Sequence, residues 1–368
     1  MASQSVSSKR ELEGGGYYAR PQQGQDNNPF REVEKKYQLH YDQEMTYSKG
    51  KLRGKKGKFS ERPTDLSDVI DFRHFDEEAS SMKAAELGVE RRNVDVSTSP
   101  RKAVVAVYTM EKHPGFYFVR EFLDEESVDE ATLDIVTKYI EPPSNSNHTK
   151  RHGHFKGLWV AAQRGLYLSS DCGSRGDGCG DKGGGGDDCW SEVQSSTSAR
   201  KILDKLRWIT LGPQYDWTNR VYKEDVPFTA LPVKLKALAE NLVKTLGVSD
   251  SYSADAALLN FYGAKDTLGG HRDDSEHDLS QPLVSMSLGC DAIFLLGQTT
   301  KNEKPTAMLV RSGDIIILSG LARKCYHGVP RIFSCGERSR KGEEEEDQLT
   351  VQSYLEKHRI NISIRMVR

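Results

Sequence analysis

Six short apolar runs follow one another from residue 255 onward, and they constrain the fold more than any other feature of the sequence. They read DAALLNFY, LVSMSLG, DAIFLLG, AMLVRSG, DIIILSG and RINISIRMV, with Gly, Asp or Pro at the boundaries. Each run has the length and composition of a strand, and many short strands with turn residues between them indicate a β-sandwich or a jelly roll. We therefore predict an α+β protein with a jelly-roll core.

By composition, the whole chain divides into three parts. Residues 1–63 are expected to form a disordered, basic tail, in which residues 29–44 could form a short amphipathic helix. Residues 64–199 form an N-terminal extension with helices and strands, interrupted at 171–189 by a Gly-rich insertion that cannot build a core. Residues 200–368 contain the six runs and form the main domain.

Charge and composition exclude some classes of protein. Hydrophobic residues make up 36% of the chain, and no apolar run is long enough to span a membrane. The N-terminus lacks the apolar stretch of a secretory signal, and the six cysteines include no CxxC pair, which favours free thiols in a reducing compartment. We expect an intracellular monomer without a membrane partner, and leave cytoplasm, nucleus and mitochondrion open.

The segment GGHRDDSEHD at residues 269–278 is dense in His, Asp and Glu. His271 and Asp273 are two apart, so in an extended segment both side chains leave the same face. His327 follows the run DIIILSG and supplies a third ligand. Two His and one carboxylate form the facial triad that binds ferrous iron and leaves three positions open. Zinc is the alternative with these ligands, and the triad alone does not separate the two metals.

The last strand, RINISIR, distinguishes the metals. Period-2 alternation places Arg359, Asn361, Ser363 and Arg365 on one face. Two Arg side chains inside a barrel are costly unless an anion meets them, and Arg pairs well with carboxylates. A dicarboxylate cosubstrate fits this face, and 2-oxoglutarate also chelates iron. Asn260 and Tyr262, two apart on an earlier run, are expected to share this pocket.

These residues resemble a known family. LLNFYGAKDTLGGHRDDSE, AIFLLG, SGDIIILSGLARKCYHGVPRI and RINISIR are similar to the AlkB-type Fe(II)/2-oxoglutarate dioxygenases, most of all to the AlkB homologue 1 group. The resemblance covers residues 200–368 best. It implies a double-stranded β-helix core, iron bound by His271, Asp273 and His327, and dioxygen as the oxidant. It also implies a 2-oxoglutarate pocket formed by Asn260, Tyr262, Arg359, Asn361 and Arg365, in which Arg359 pairs with the distal carboxylate.

The resemblance further implies oxidative demethylation of N-methylated bases in nucleic acid, with tRNA 1-methyladenosine leading and DNA 6-methyladenine as the rival. Residues 207–223 are expected to form a nucleotide-recognition lid, with substrate contacts from Tyr215, Trp217 and Arg220. Ser275 stands where bacterial repair members usually carry an acidic residue that contacts the base. Glu276 is either a substrate contact or a hydrogen-bonding partner beside the triad.

Two other functions are compatible with the sequence. A protein or small-molecule hydroxylase would keep the iron and the cosubstrate, and a non-catalytic jelly-roll module would need neither. The aromatic and basic lid opposes the first function, and the two inward Arg side chains oppose the second.

Overall fold

The computed structural model describes residues 28–39, 41–48, 51–61, 63–75, 85–96, 104–169, 189–195, 197–333 and 348–368. Two expectations therefore fall outside the described residues: disorder at residues 1–27 and, apart from Cys189, the Gly-rich insertion at residues 171–189.

The strands are short, as the sequence predicts, and most belong to two large sheets. In chain order they are β1 (Tyr41–Ser48), β2 (Lys51–Glu61), β3 (Val69–Ile70), β4 (Val89–Asp95), β5 (Val104–Met110), β6 (Phe116–Val119), β7 (Tyr167–Leu168), β8 (Trp190–Ser191), β9 (Trp208–Leu211), β10 (Gln214–Asp216), β11 (Val221–Lys223), β12 (Ala256–Gly263), β13 (Leu268–His271), β14 (Leu283–Gly289), β15 (Asp291–Leu296), β16 (Thr306–Val310), β17 (Ile315–Leu318), β18 (His327–Phe333) and β19 (His358–Arg365).

Most of the helices precede strand β12 in the chain. They are α1 (Pro29–Tyr37), α2 (Glu125–Asp134), α3 (Thr149–His152), α4 (Leu158–Gln163), α5 (Ala199–Asp204), α6 (Val233–Thr245) and α7 (Val351–Leu355). Polar caps set several starts: the Asn28 side chain accepts from the Arg31 amide at the start of α1, and Asp124 does the same for Ser127 at α2. In the described ranges, no helix combines the length and the apolar character needed to cross a bilayer.

Two sheets form the jelly roll. The larger has the order β4-β5-β6-β17-β14-β19-β12-β9, and the smaller has the order β13-β18-β15-β16-β3. Neighbouring strands are antiparallel except for β16 and β3. From β12 to β19, consecutive strands alternate between the two sheets except for β15 and β16, which pair within the smaller sheet. This alternation is the pattern of a double-stranded β-helix. The predicted α+β class with a jelly-roll core is confirmed.

Strand β19 lies inside the larger sheet, between β14 and β12, and both of its faces are covered. Ile360, Ile362 and Ile364 are fully buried in the main hydrophobic cluster, which α6 also joins through Leu235 and Leu242. The opposite face carries the polar side chains and lines a cavity between the sheets. This burial on both faces fixes the register, because a slip of one residue would place the isoleucines in the polar cavity.

Part of the expected N-terminal tail is ordered. Helix α1 lies within residues 29–44, where the sequence indicated that a short amphipathic helix could form, and the β1–β2 hairpin follows it. Phe30 and Tyr37 of α1 are buried against the smaller sheet, and this burial offsets the cost of ordering a polar segment. The larger sheet includes strands from both sides of the expected division at residue 200, because β4, β5 and β6 extend it through β17.

Gly289 offers a test of how closely the backbones of β14 and β19 approach each other within the larger sheet. It has a φ of +79°, and a Cβ atom placed there would lie 2.3 Å from the carbonyl oxygen of His358. Gly247 has a φ of +68° and open space around it. We expect Gly247→Ala to lower the free energy of unfolding by about 1–2 kcal/mol through backbone strain alone. Gly289→Ala should cost roughly 3 kcal/mol or more in urea unfolding; equal losses would contradict the close approach to β19.

Candidate active site

Two histidines face each other across neighbouring strands of the smaller sheet. His271 ends β13 and pairs in register with His327, the first residue of β18, so both imidazoles leave the same face. Asp273 follows two residues after β13. Its Oδ1 lies 3.8 Å from His271 Nε2, and its Oδ2 lies 3.9 Å from His327 Nε2. One ligand atom from each of the three lies within 4.8 Å of the others, a spacing that could hold a metal ion.

The hydrogen bonds of the imidazoles orient them toward a metal. Nδ1 of His271 lies 3.0 Å from the Gly269 carbonyl oxygen, and Nδ1 of His327 lies 3.3 Å from that of Cys325. A carbonyl oxygen only accepts, so each Nδ1 carries the hydrogen and each Nε2 keeps a lone pair for a ligand. Burial lowers the pKa of His327 to about 3, which keeps this imidazole neutral. This donor set fits ferrous iron.

Asp273 belongs to a buried network of charges. Burial raises the pKa of its carboxyl, but Arg365 and the two imidazoles outweigh burial and hold that pKa below its usual value. Arg365 Nη2 lies 3.3 Å from Asp273 Oδ2, and its Nη1 donates to Glu276 Oε1 at 2.6 Å. Arg323 contributes a second guanidinium, which contacts the Asp273 carbonyl oxygen and lies 2.9 Å from Glu276 Oε2. The network therefore keeps Asp273 ionised and its carboxylate in place.

Arg359 is the cation of this cavity that lacks a carboxylate partner. Its guanidinium is 3% exposed, and it donates to Ser287 Oγ at 2.7 Å and to the Cys290 carbonyl oxygen at 3.3 Å. Its Nε has no hydrogen-bond partner, and among the described residues no acidic side chain forms an ion pair with it. A buried guanidinium without a counter-charge is costly. It fits the free carboxylate of a bound dicarboxylate.

Polar residues on β12 and β19 connect Arg359 to the His and Asp cluster. Tyr262 pairs in register with Arg359, and Asn260 pairs with Asn361, as the expected shared pocket requires. Asn361 accepts from Ser285 Oγ at 2.8 Å and donates to Ser363 Oγ at 3.0 Å. All of these residues line one cavity of about 320 Å³ together with His271, Asp273 and His327. That volume is typical of a site for a small ligand.

The expected lid is a hairpin that contacts the loop after Asp273. Residues 208–211 are strand β9 of the larger sheet, so the free hairpin is β10–β11 and not the whole of 207–223. Tyr215 hydrogen-bonds Ser275 at 2.8 Å between hydroxyl oxygens, and Tyr222 donates to Glu276 at 3.3 Å. Arg220 forms an ion pair with Asp274. Three consecutive residues of the loop are thus each held by one lid residue.

Aromatic rings form the inner surface of this lid. Trp217 packs edge-on against Tyr215, with 4.8 Å between ring centroids, and against Trp208 at 5.4 Å. Tyr215 and Trp217 are half-buried and line the cavity mouth with Arg220. Glu276 is 6% exposed and is engaged by two guanidiniums, which favours its role as a partner of the network over a direct substrate contact.

Comparisons with known proteins agree with this geometry. Residues 191–365 match the 2OG-Fe(II) oxygenase superfamily. DNA N(6)-methyladenine demethylase ALKBH1A of Arabidopsis thaliana is 35% identical over 358 residues, which are 93% of this chain and 96% of that protein. The chain belongs to the AlkB-type 2OG-Fe(II) oxygenases. The tRNA demethylase abh1 of Schizosaccharomyces pombe is 31% identical over 71% of this chain and 82% of its own length. Nucleic acid dioxygenase ALKBH1 of Homo sapiens is 46% identical over 36% of this chain and 34% of its own length.

Membership of this family makes the chain a dioxygenase that uses ferrous iron, 2-oxoglutarate and dioxygen, which confirms the predicted enzyme class and cofactors. The resemblance to the AlkB homologue 1 group is likewise confirmed.

Helix α1 supports the metal-bearing strand of this AlkB-type enzyme from outside. Strand β13 is the edge of the smaller sheet, so its outer backbone groups have no partner strand. The buried Glu34 carboxylate of α1 accepts a hydrogen bond from the Gly270 amide, and Lys301 Nζ donates to the Gly270 carbonyl oxygen at 2.7 Å. Phe30 lies so close to Gly270 that a Cβ atom there would be 2.4 Å from its ring. The residue before His271 is therefore held on three sides.

Sequence reasoning missed three residues of this site: Glu34, Arg323 and Phe294. Arg323 lies in a one-turn helix and is followed by the exposed Lys324, so the pair looks like an ordinary solvated surface. Phe294 stacks on His327 with 5.9 Å between centroids, but its run AIFLLG is apolar throughout and does not single out one ring. Glu34 is over 200 residues from His271, and no local pattern connects them. The Gly269-Gly270 pair was the one available signal of a close backbone approach.

We expect Glu34→Ala to weaken ferrous iron binding about tenfold, because supports of this kind typically contribute 10- to 100-fold to metal affinity. Anaerobic titration calorimetry measures the affinity, and hydrogen exchange at the Gly270 amide measures the loosening directly. Glu34→Gln keeps an accepting oxygen and should retain most of the affinity. Glu32→Ala, an exposed position on the same helix, is the matched control. Unchanged exchange at Gly270 in Glu34→Ala would refute the support by α1.

Proposed function

We propose that this protein is an Fe(II)- and 2-oxoglutarate-dependent demethylase of N-methylated nucleobases in nucleic acid. One observation carries the proposal: the cavity combines a metal-competent His/Asp/His cluster with the buried Arg359, beneath a hairpin that presents aromatic rings at its mouth. Family membership supports the oxidative chemistry, and the relatives that match are named as demethylases of DNA or tRNA.

In this proposal His271, Asp273 and His327 hold the ferrous ion through Nε2 atoms and a carboxylate oxygen. Bound together, iron, 2-oxoglutarate and dioxygen supply the oxidising power that hydroxylates an N-methyl group, with succinate and carbon dioxide as coproducts. Arg359 receives the distal carboxylate of 2-oxoglutarate, assisted by Tyr262 on the neighbouring strand. Asn260, Asn361 and Arg365 line the remaining cosubstrate pocket. Arg365 also keeps Asp273 ionised, so the carboxylate is ready to bind without releasing a proton.

The aromatic lid is the proposed substrate side of the site. A base inside a duplex cannot reach the cavity, so it must enter from a single strand, a loop or a flipped position. Tyr215 and Trp217 would pack against that base, with Arg220 and Ser275 beside it at the mouth. The hydroxymethyl product then loses formaldehyde and leaves the demethylated nitrogen. We propose tRNA 1-methyladenosine as the leading substrate and DNA 6-methyladenine as its rival.

Protein or small-molecule hydroxylation is not favoured, because the relatives that cover most of the chain are named as nucleic acid demethylases. A binding module without catalysis would have no use for a buried guanidinium aimed into a metal-competent cavity. The proposal further takes the enzyme to be a monomer that acts inside the cell, in the cytoplasm, the nucleus or the mitochondrion.

The experiment that tests the proposal is a mass-spectrometric inventory of modified nucleosides in tRNA and single-stranded DNA before and after treatment with the enzyme. We expect loss of an N-methyl nucleoside and an equal amount of formaldehyde, both dependent on 2-oxoglutarate. Methylated histone peptides serve as the competing substrate. His271→Ala should abolish turnover and keep the wild-type melting curve. Formaldehyde release from the peptides but from neither nucleic acid would overturn the proposal.

Arg359→Ala should raise the KM for 2-oxoglutarate about 10- to 100-fold, since hydrogen bonds to a charged group contribute about 1.5–3 kcal/mol each. Arg359→Lys keeps the charge but loses the forked geometry, so it should recover part of the affinity. Steady-state kinetics at saturating nucleic acid measure both constants. An unchanged KM in Arg359→Ala would contradict the assignment of β19 to the cosubstrate.

A further inference from the structure

Cations at the mouth of the cavity are already paired. Arg220 and Arg272 both contact Asp274, and Lys223 lies 2.7 Å from Asp216. Exposed pairs of this kind hold their side chains in place and reduce the positive charge that a phosphate would meet. The backbone of a bound strand therefore requires cations elsewhere, within reach of the base pocket.

One edge of each sheet borders the cavity. β9 is one edge of the larger sheet and β13 is one edge of the smaller, and both edges contribute residues to the cavity. The lid hairpin begins directly after β9, so the mouth lies between these two edges. Residues 145–147 run along the outside of β9: the Thr210 amide donates to the Asn145 carbonyl oxygen at 3.2 Å, and the Arg207 amide donates to Asn147 Oδ1 at 2.8 Å.

This outer segment leads into a cluster of exposed cations. His148 Nε2 lies 2.9 Å from the Ile202 carbonyl oxygen, and Asn147 Nδ2 donates to the Lys205 carbonyl oxygen at 3.0 Å, so α3 and α5 lie side by side. Five exposed residues on these helices and the loops that follow them form what we call the β9-edge surface: Lys150, Arg151, Lys156, Lys201 and Lys205.

Within the described part of the chain the charges of the β9-edge surface form no ion pairs, although Lys156 acts electrostatically on the nearby Glu141 carboxyl. Asp204, the acidic residue of α5, lies 3.8 Å from both Arg200 and His358. The surface therefore presents a local excess of positive charge, although the whole chain carries a net charge of −2.

Aromatic packing fixes the backbone that carries these cations. The rings of His152 and Phe155 are 5.9 Å apart, and Phe155 packs against Trp190 at 5.5 Å. Trp190 Nε1 donates to the Lys156 carbonyl oxygen at 2.7 Å. The half-buried edge of Trp190 also lies among the cations, as aromatic side chains do in surfaces that bind single strands.

We propose that the β9-edge surface binds the phosphate backbone of the nucleic acid strand on one side of the base that enters the cavity. Asn145 accepts a hydrogen bond from the amide of the cavity residue Thr210. Lys150 follows Asn145 by five residues, so the two residues are at most about 18 Å apart. A few nucleotides span this distance. The inference rests on the proposed function, because it assumes a nucleic acid substrate, and it adds the path of the strand outside the pocket.

The test uses Lys201→Glu/Lys205→Glu in the full-length protein. Binding of a fluorescein-labelled single-stranded oligonucleotide is measured by anisotropy over a range of salt concentrations. We expect at least a tenfold weaker affinity at low salt and a log–log salt slope smaller by about 1.5, since each lost phosphate contact removes about 0.7. The matched control is Lys112→Glu/Lys244→Glu, which makes the same change in net charge at exposed, unpaired positions away from this surface.

A second readout separates binding from chemistry. Turnover of a methylated nucleoside, which has no phosphate for the β9-edge surface to bind, and the KM for 2-oxoglutarate should stay within twofold of wild type in Lys201→Glu/Lys205→Glu. Equal affinity and equal salt slope in that variant and the control would overturn the inference. If instead the wild-type protein neither binds nor demethylates any nucleic acid, the proposed function itself fails.

Discussion

The organisation of the site depends on carboxylates and guanidiniums that balance one another's charge. The buried Glu276 and the half-buried Asp273 lie beside Arg365 and Arg323, and each carboxylate contacts at least one guanidinium. Removing one member would leave a buried charge uncompensated, which is far more costly than losing an exposed pair. Arg359 stands apart from this balance. Among the described residues no carboxylate forms an ion pair with its guanidinium, so the cost of burying that charge would be offset by the dicarboxylate that we propose as its partner.

The two sheets divide the work of the site. The larger sheet contributes the polar row of β12 and β19, which suits an elongated organic acid, and the smaller sheet contributes the two imidazoles. Neither sheet alone could place a metal next to a chelating acid. The lid joins them at the open side, since it follows β9 of one sheet and holds the loop that follows β13 of the other. Residues 274–276 therefore contact both parts of the site, because they directly follow Asp273 and are held by the lid that we propose to contact the base.

The sequence predicted those parts of the site that follow local rules. Period-2 alternation on β19 placed Arg359, Asn361 and Arg365 correctly, and the spacing of His271 and Asp273 brought both to one face. Contacts made by folding distant segments together were beyond reach. Arg323 and Glu34 act through single side chains that meet the metal loop only in three dimensions. The docking of the N-terminal segment was out of reach for a related reason. The sequence allowed a helix at residues 29–44, but the surface that buries Phe30 and Tyr37 comes from distant strands of the smaller sheet, which composition does not reveal.

Helix α1 has a practical consequence for how this protein is cut into pieces. The stretch recognisable as an oxygenase begins at residue 191, and a recombinant fragment trimmed to it would keep every side chain proposed to touch iron or 2-oxoglutarate. It would nevertheless expose the bare rim of β13 and strip three strands from the larger sheet. Proteolysis directly after α1 would separate the helix from β13 and leave those three strands attached to the larger sheet. The shortest stretch that carries the recognisable motifs is therefore not the smallest unit that can be relied on to work.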